Sequence, residues 1–105
     1  MRYLFLLNPT AGKRDCTAEL APAIQAAAQR AGIPPEKRKV SVTQYAGHAR
    51  ELAAEAAHTA QTDGEPVRIW TAGGDGTFNE ALTGAQGCSL AAVGCLPFGS
   101  GNDFL

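Results

Sequence analysis

The chain has 105 residues and a nearly even charge balance, nine Lys plus Arg against ten Asp plus Glu, for a formal net charge of −1. That length gives one domain burying about two-thirds of its unfolded surface, and the balance carries no electrostatic footprint for nucleic acid. The longest apolar runs, residues 3–7 and 90–96, are too short to cross a bilayer, and no charged-then-apolar leader with a cleavage site precedes residue 8. A cytoplasmic chain without a secretory signal is expected. Cys16, Cys88 and Cys95 are odd in number and lack CxxC spacing, so reduced thiols are expected.

In chain order, Tyr3-Leu4-Phe5-Leu6-Leu7 is a continuous apolar run ending at Asn8-Pro9, the pattern of a parallel strand covered on both faces. Residues 17–31 form an alanine-rich helical stretch with Leu20, Ile24, Ala27, Ala28 and Ala31 on one face, stopped by Gly32. Pro22 in that stretch either kinks the helix or lies near its first turn. Val40 and Val42 alternate with polar neighbours, which suits a strand nearer the sheet edge. Residues 47–61 predict a second helix with Leu52, Ala53, Ala56, Ala57 and Ala60 facing inward. These are mostly small, so the helix should pack close to the sheet. A strand over 67–71, with Trp70 expected in the core, leads through a glycine turn into a helix over 77–84. Residues 90–96 give a fourth strand ending at Pro97. There are no internal repeats or low-complexity segments.

The alternation of strands and helices predicts a three-layer α/β/α Rossmann-like fold, a parallel sheet with helices on both sides. Right-handed crossovers place every strand's C-terminal end on one edge. Residues 8–14, 43–48, 73–77 and 98–103 are thereby brought together, at the edge where open α/β sheets bind ligands.

The most specific of these turns reads GGDGTFNE over residues 73–80. Glycines between a strand and a helix let backbone approach a polyphosphate closely, and their N–H groups join a helix N-terminus that favours anions. Asp75 is an acid among groups that attract phosphate. A divalent cation between carboxylate and phosphate reconciles the two, since Mg²⁺ binds through few carboxylates and substrate oxygens. Magnesium-nucleotide binding for phosphoryl transfer is the function this turn points to. Glu80 follows Thr77 at capping-box spacing, so a structural role and a ligand role both stand.

The other turns are less specific alone. Residues 8–14, NPTAGKR, carry one glycine and two cations that suit phosphate or simply a solvated surface. This is not a Walker A loop, because the leading glycine is missing and Arg14 replaces the required Ser or Thr. Residues 98–103, FGSGND, offer amide and hydroxyl donors, and Asn102 or Asp103 can cap a helix. Thr43 closes the second strand and also reads as the entry turn of the next helix. His48 and His58 share a helix ten residues apart, which is not ligand spacing, and no metal site is expected between them.

Taken together, NPTAGK, VTQYAGHA, GGDGTFNE and PFGSGNDF resemble, in order, the motifs of the diacylglycerol kinase catalytic-domain family, which includes bacterial lipid kinases, sphingosine kinases and ceramide kinases. The resemblance runs from Tyr3 to Leu105. GGDGT is shared with NAD kinases and 6-phosphofructokinases; the asparagine-proline start together with GSGNDF is more specific to lipid kinases. The resemblance implies ATP and Mg²⁺ as cofactors and a lipid hydroxyl, such as that of diacylglycerol, as acceptor. It implies that Asn8 and Thr43 contact the adenosine part and that Gly12 and Lys13 approach the phosphates. Gly73, Gly74, Gly76 and Thr77 would line the phosphate turn, with Asp75 beside the metal or the transferred group and Glu80 near the ribose. Gly99, Ser100 and Asn102 would close the site from the fourth strand. A carboxylate beside Mg²⁺ is a poor base, because the cation stabilises its ionised form. Asp75 is therefore read as the magnesium-side residue, with the base elsewhere.

Family members continue into a β-rich second domain, so residues 1–105 read as the nucleotide-binding domain of a lipid kinase that is peripheral to the membrane. Alone, the chain is expected to bind nucleotide weakly, to lack lipid kinase activity, and to form homo-oligomers through a bare sheet flank. An NAD kinase-like enzyme and a non-catalytic nucleotide-binding module are the alternatives.

Overall fold

Three glycine-punctuated crossovers shape this chain. The computed structural model describes residues 1–8, 17–72 and 75–95, with backbone alone at 17–20 and 75. The expected three-layer α/β fold is present. Strands β1 (Arg2–Leu7), β2 (Arg38–Val42), β3 (Val67–Ala72) and β4 (Ala91–Cys95) alternate with helices α1 (Thr17–Arg30), α2 (His48–Asp63) and α3 (Asp75–Ala85). A short 3₁₀ turn at Pro35–Lys37 leads into β2. All pairings are parallel, in the order β2-β1-β3-β4.

The order explains the sequence patterns. β1 is central, and Leu4 through Leu7 are all buried because both faces are covered. Leu4 and Leu6 join Val67 and Ile69 under α2 and α3. Phe5 and Leu7 meet Ile24 of α1 on the opposite face, with Val40, Val42, Trp70 and Ala72 in register beside them. β2 lies at an edge, as its alternation suggested, and its Arg38-Lys39 start guards that edge with charge.

α1 runs through Pro22, which lies beyond the first turn. The helix stops as expected at Gly32, whose φ is +81°. Gly32 N–H donates to Gln29 and Ile33 N–H to Ala28, the paired bonds of a Schellman ending. Ala31, expected on the inner face, is exposed because it already belongs to this ending.

The buried stripe of α2 is Ala49, Ala53, Ala57 and Ala60, while Leu52 and Ala56 are only half-buried. The stripe is rotated from the expected one because α2 packs on α3 as well as on the sheet. Gly84 makes that packing possible. A Cβ there would stand 2.2 Å from the Arg50 carbonyl oxygen and 3.0 Å from the Ala54 nitrogen.

Trp70 departs from the expected core position and is half-buried. Among the described helices only α1 lies on its face, against β1 and β2. Its ring instead covers Gly94 of β4, where an added Cβ would approach the indole to 2.6 Å. The chain leaves β1 leftward through α1 and leaves β3 rightward through α3, on opposite faces. The topological switch point lies where these directions part, between the C-terminal ends of β1 and β3, the place where open α/β sheets have their ligand crevice.

Candidate functional site

Strand ends build the floor of this crevice by continuing the sheet's hydrogen bonding past the strands. Thr43 N–H donates to the Leu7 carbonyl at 2.8 Å, and Asn8 N–H donates to the Ala72 carbonyl at 3.0 Å. Thr43, just after β2, is therefore held beside the end of β1, and Asn8, just after β1, beside the end of β3. Across the switch point, Asn8 Nδ2 donates to Thr77 Oγ1 at 3.2 Å. Thr77 and Thr43 are both buried.

α3 begins at Asp75, immediately beyond the glycine pair. A helix leaves its first-turn N–H groups without intrahelical acceptors, and the positive end of its dipole favours an anion. Gly76, in that turn, is exposed, and a Cβ placed on it would meet nothing within 4 Å. Among the described residues no packing partner demands glycine there, and the space beside Gly76 at this helix start is unfilled.

The capping box read from Thr77 and Glu80 does not form. The helix starts two residues before Thr77, which places Thr77 inside the first turn, where its hydroxyl oxygen accepts from Asn8. Glu80 instead reaches across to α2 and accepts from Gly47 N–H at 3.3 Å. Gly47 is the N-cap of α2, in left-handed conformation at φ +89° with no side-chain cap of its own. A carboxylate from α3 thus lies at the positive end of α2 and ties the two helices at the crevice edge.

The β2–α2 turn holds two residues whose roles the sequence reading missed. Tyr45 stacks on His48, ring centroids 4.4 Å apart and planes 17° from parallel. Tyr45 hydroxyl donates to Glu51 Oε1 at 2.7 Å, and this bond raises the phenol's pKa. Gln44 N–H donates to His48 Nδ1 at 2.9 Å. The signal was local: an aromatic and a histidine three apart, with a carboxylate one turn further on. No cluster of three metal-ligating side chains occurs among the described residues.

Of the expected site residues, Asn8, Thr43, Gly76, Thr77 and Glu80 converge at this edge, and the backbone of Asp75 starts α3 beside them. Gly12, Lys13, Gly73, Gly74, Gly99, Ser100 and Asn102 lie outside the described residues, as does the side chain of Asp75.

Comparison with known proteins places this architecture. Residues 2–105 match the diacylglycerol kinase catalytic domain. The chain belongs to that family. It is 33% identical over 111 residues to sphingoid long-chain bases kinase 1 of Arabidopsis thaliana, covering 99% of this chain and 14% of that protein. It is also 33% identical over 104 residues to a diacylglycerol kinase of Staphylococcus carnosus (strain TM300), covering 98% of this chain and 31% of the relative. The chain thus spans less than a third of the length of each of these relatives. No described helix is long and apolar enough to cross a membrane.

Proposed function

We propose that this chain is the ATP-binding part of a lipid kinase that transfers the γ-phosphate of ATP to a lipid hydroxyl. The observation that carries the reading is the Asn8–Thr77 hydrogen bond across the switch point, beside the open first turn of α3. It joins the two motif turns at the place where a nucleotide would lie. Membership of the diacylglycerol kinase catalytic-domain family supports a kinase, and the relatives' names support a lipid acceptor, a sphingoid base in one and diacylglycerol in the other.

In this reading Asn8 and Thr43 face the adenosine, and the α3 first turn with Gly73, Gly74 and Gly76 receives the phosphates. Gly12 and Lys13 add donors and charge, and Gly99, Ser100 and Asn102 close the opposite side. Glu80 stabilises the α2 start and stands near the ribose. Asp75 holds Mg²⁺, directly or through water, and the cation when bound neutralises charge on the phosphates. The acceptor hydroxyl oxygen bonds to the γ-phosphorus as the bond to ADP breaks, and its proton goes to a base other than Asp75. The lipid approaches from a membrane surface, held by parts of the protein beyond the nucleotide-binding residues.

Calorimetry with ATP, with and without Mg²⁺, tests the binding. Transfer of γ-phosphate to diacylglycerol or to a sphingoid base by the full protein tests the chemistry. Asp75→Asn is expected to lower transfer on the order of a hundredfold or more with thermal unfolding unchanged. Magnesium-independent ATP binding, or full turnover by Asp75→Asn, would overturn the assignment.

A further inference from the structure

The β2–α2 turn presents a flat aromatic surface that none of the roles above employs. Tyr45 is 54% exposed, yet its ring is held in place. One face rests on the His48 imidazole, the hydroxyl is tethered to Glu51, and the imidazole beneath is fixed by Gln44 N–H. Ordering an exposed side chain costs rotamer freedom, and here two hydrogen bonds and a stack hold an aromatic ring open to solvent. A ring so fixed is pre-organised for another planar ring, since offset stacking is the arrangement that aromatic quadrupoles favour.

The turn's position specifies which ring. Its first residue, Thr43, is bonded to Leu7, one residue before Asn8. Its last, Gly47, is bonded to Glu80 of α3. The stack therefore belongs to the turn on the β2 side of the Asn8–Thr77 pair. The phosphate-fitting turn of α3 lies on the β3 side. A nucleotide with its phosphates at α3 and its sugar over Asn8 carries its base toward β2.

We infer that Tyr45, backed by His48, is the stacking surface for the purine base of the bound nucleotide, an inference that rests on the ATP-binding reading above. Stacking of a base on an aromatic side chain accounts for about tenfold or more in affinity. Magnesium tripolyphosphate, which has the phosphates without the base, separates the two ideas. The chain is expected to bind Mg·ATP about tenfold or more tighter than Mg·tripolyphosphate. Tyr45→Ala should remove most of that difference and leave tripolyphosphate affinity as it was, whereas Tyr45→Phe, which keeps the ring, should retain it. In the unaltered chain, the NMR signals of the Tyr45 ring and His48 Hε1 should move upfield with ATP and stay in place with tripolyphosphate.

Several results would overturn the inference. If Tyr45→Ala binds ATP as tightly as the unaltered chain, the base is not read there, and the ATP-binding reading stands. If that variant loses ATP and tripolyphosphate equally, Tyr45 holds the turn and not the base. If Tyr45→Ala fails to fold, the ring shifts in the unaltered chain decide, and their absence with ATP refutes the stack. An unaltered chain that binds neither ligand refutes the ATP-binding reading together with this inference.

Discussion

At Gly76 the proposed phosphate role can be tested apart from stability. Its backbone is ordinary helix and nothing stands within 4 Å of where a Cβ would be. Alanine is the better helix former, so Gly76→Ala should leave the fold unharmed or stabilise it by up to about 0.5 kcal/mol. If the space over that turn belongs to a phosphate, the same methyl group crowds the ligand, and Mg·ATP affinity should fall about tenfold or more. Chemical denaturation and calorimetry on one preparation check both halves. A variant that loses stability and keeps ATP would refute the assignment of that space. Glu80 teaches a related lesson. Its spacing from Thr77 suggested a capping box at the start of α3, but its carboxylate serves the N-terminus of α2, 33 residues earlier in sequence.

The pairing of α2 with α3 depends on small residues on both helices. Ala49, Ala53, Ala57 and Ala60 meet Ala81 and Ala85 in one core cluster, and Gly84 lets the backbones approach. Adding one methyl at Gly84 sets it against backbone atoms of α2, at 2.2 and 3.0 Å. Backbone cannot rotate aside as a flexible side chain can, so the helices must separate. Gly84→Ala should cost about 1–3 kcal/mol, read as a lower denaturant midpoint at unchanged slope. Because the α2 start and the Glu80 contact move with the helices, ATP affinity should drop as well. The alanine periodicity announced close packing, but it left open what α2 packs against. Helical spacing defines a face, and several neighbours can lie along it. On the opposite face of the sheet, Trp70 made the converse point. Strand composition identified a large apolar side chain, while its half-exposure depended on which helix lies over it and on Gly94 beneath it.

Across the whole molecule, the two sheet edges divide the labour. The C-terminal edge carries the motif turns proposed to bind nucleotide. The N-terminal edge carries an ion cluster in which Glu65 meets Lys37 Nζ at 2.9 Å, the Met1 amine at 3.0 Å and Arg2 Nε at 3.3 Å, while Arg2 also pairs with Asp63. Hydrogen bonding from Lys37, followed by that from the Met1 amine, pulls the Glu65 pKa down from 4.5 to about 2. A carboxyl whose folded pKa is depressed stabilises the fold above its unfolded value and loses that contribution as pH falls through the folded value. Stability should therefore decline between about pH 4.5 and about pH 2 in part through Glu65. Glu65→Gln should be less stable at neutral pH and show a flatter decline over that window. Melting curves in a pH series check this, and added salt should narrow the difference because the cluster is solvent-facing. A Glu65→Gln profile parallel to the unaltered one would show that the cluster contributes nothing to acid sensitivity.

Much of this architecture was legible in the chain itself, because it rests on short-range chemistry. Apolar runs of strand length, the glycine ending of α1 and the order of alternating elements each depend on neighbours a few residues away. They were sufficient to predict a parallel sheet with its turns on one edge, and the ordered motifs identified the family. What only the tertiary structure decided are relations between segments far apart in sequence: Asn8 with Thr77, Gly47 with Glu80, α2 with α3 through Gly84. The Tyr45–His48 stack is short in sequence yet equally hidden, since residues three apart meet face to face only when a turn bends them together. Sequence pattern reports what a segment would bury, and the fold then chooses the partner, because burial is non-directional while hydrogen bonds and close contacts are geometric.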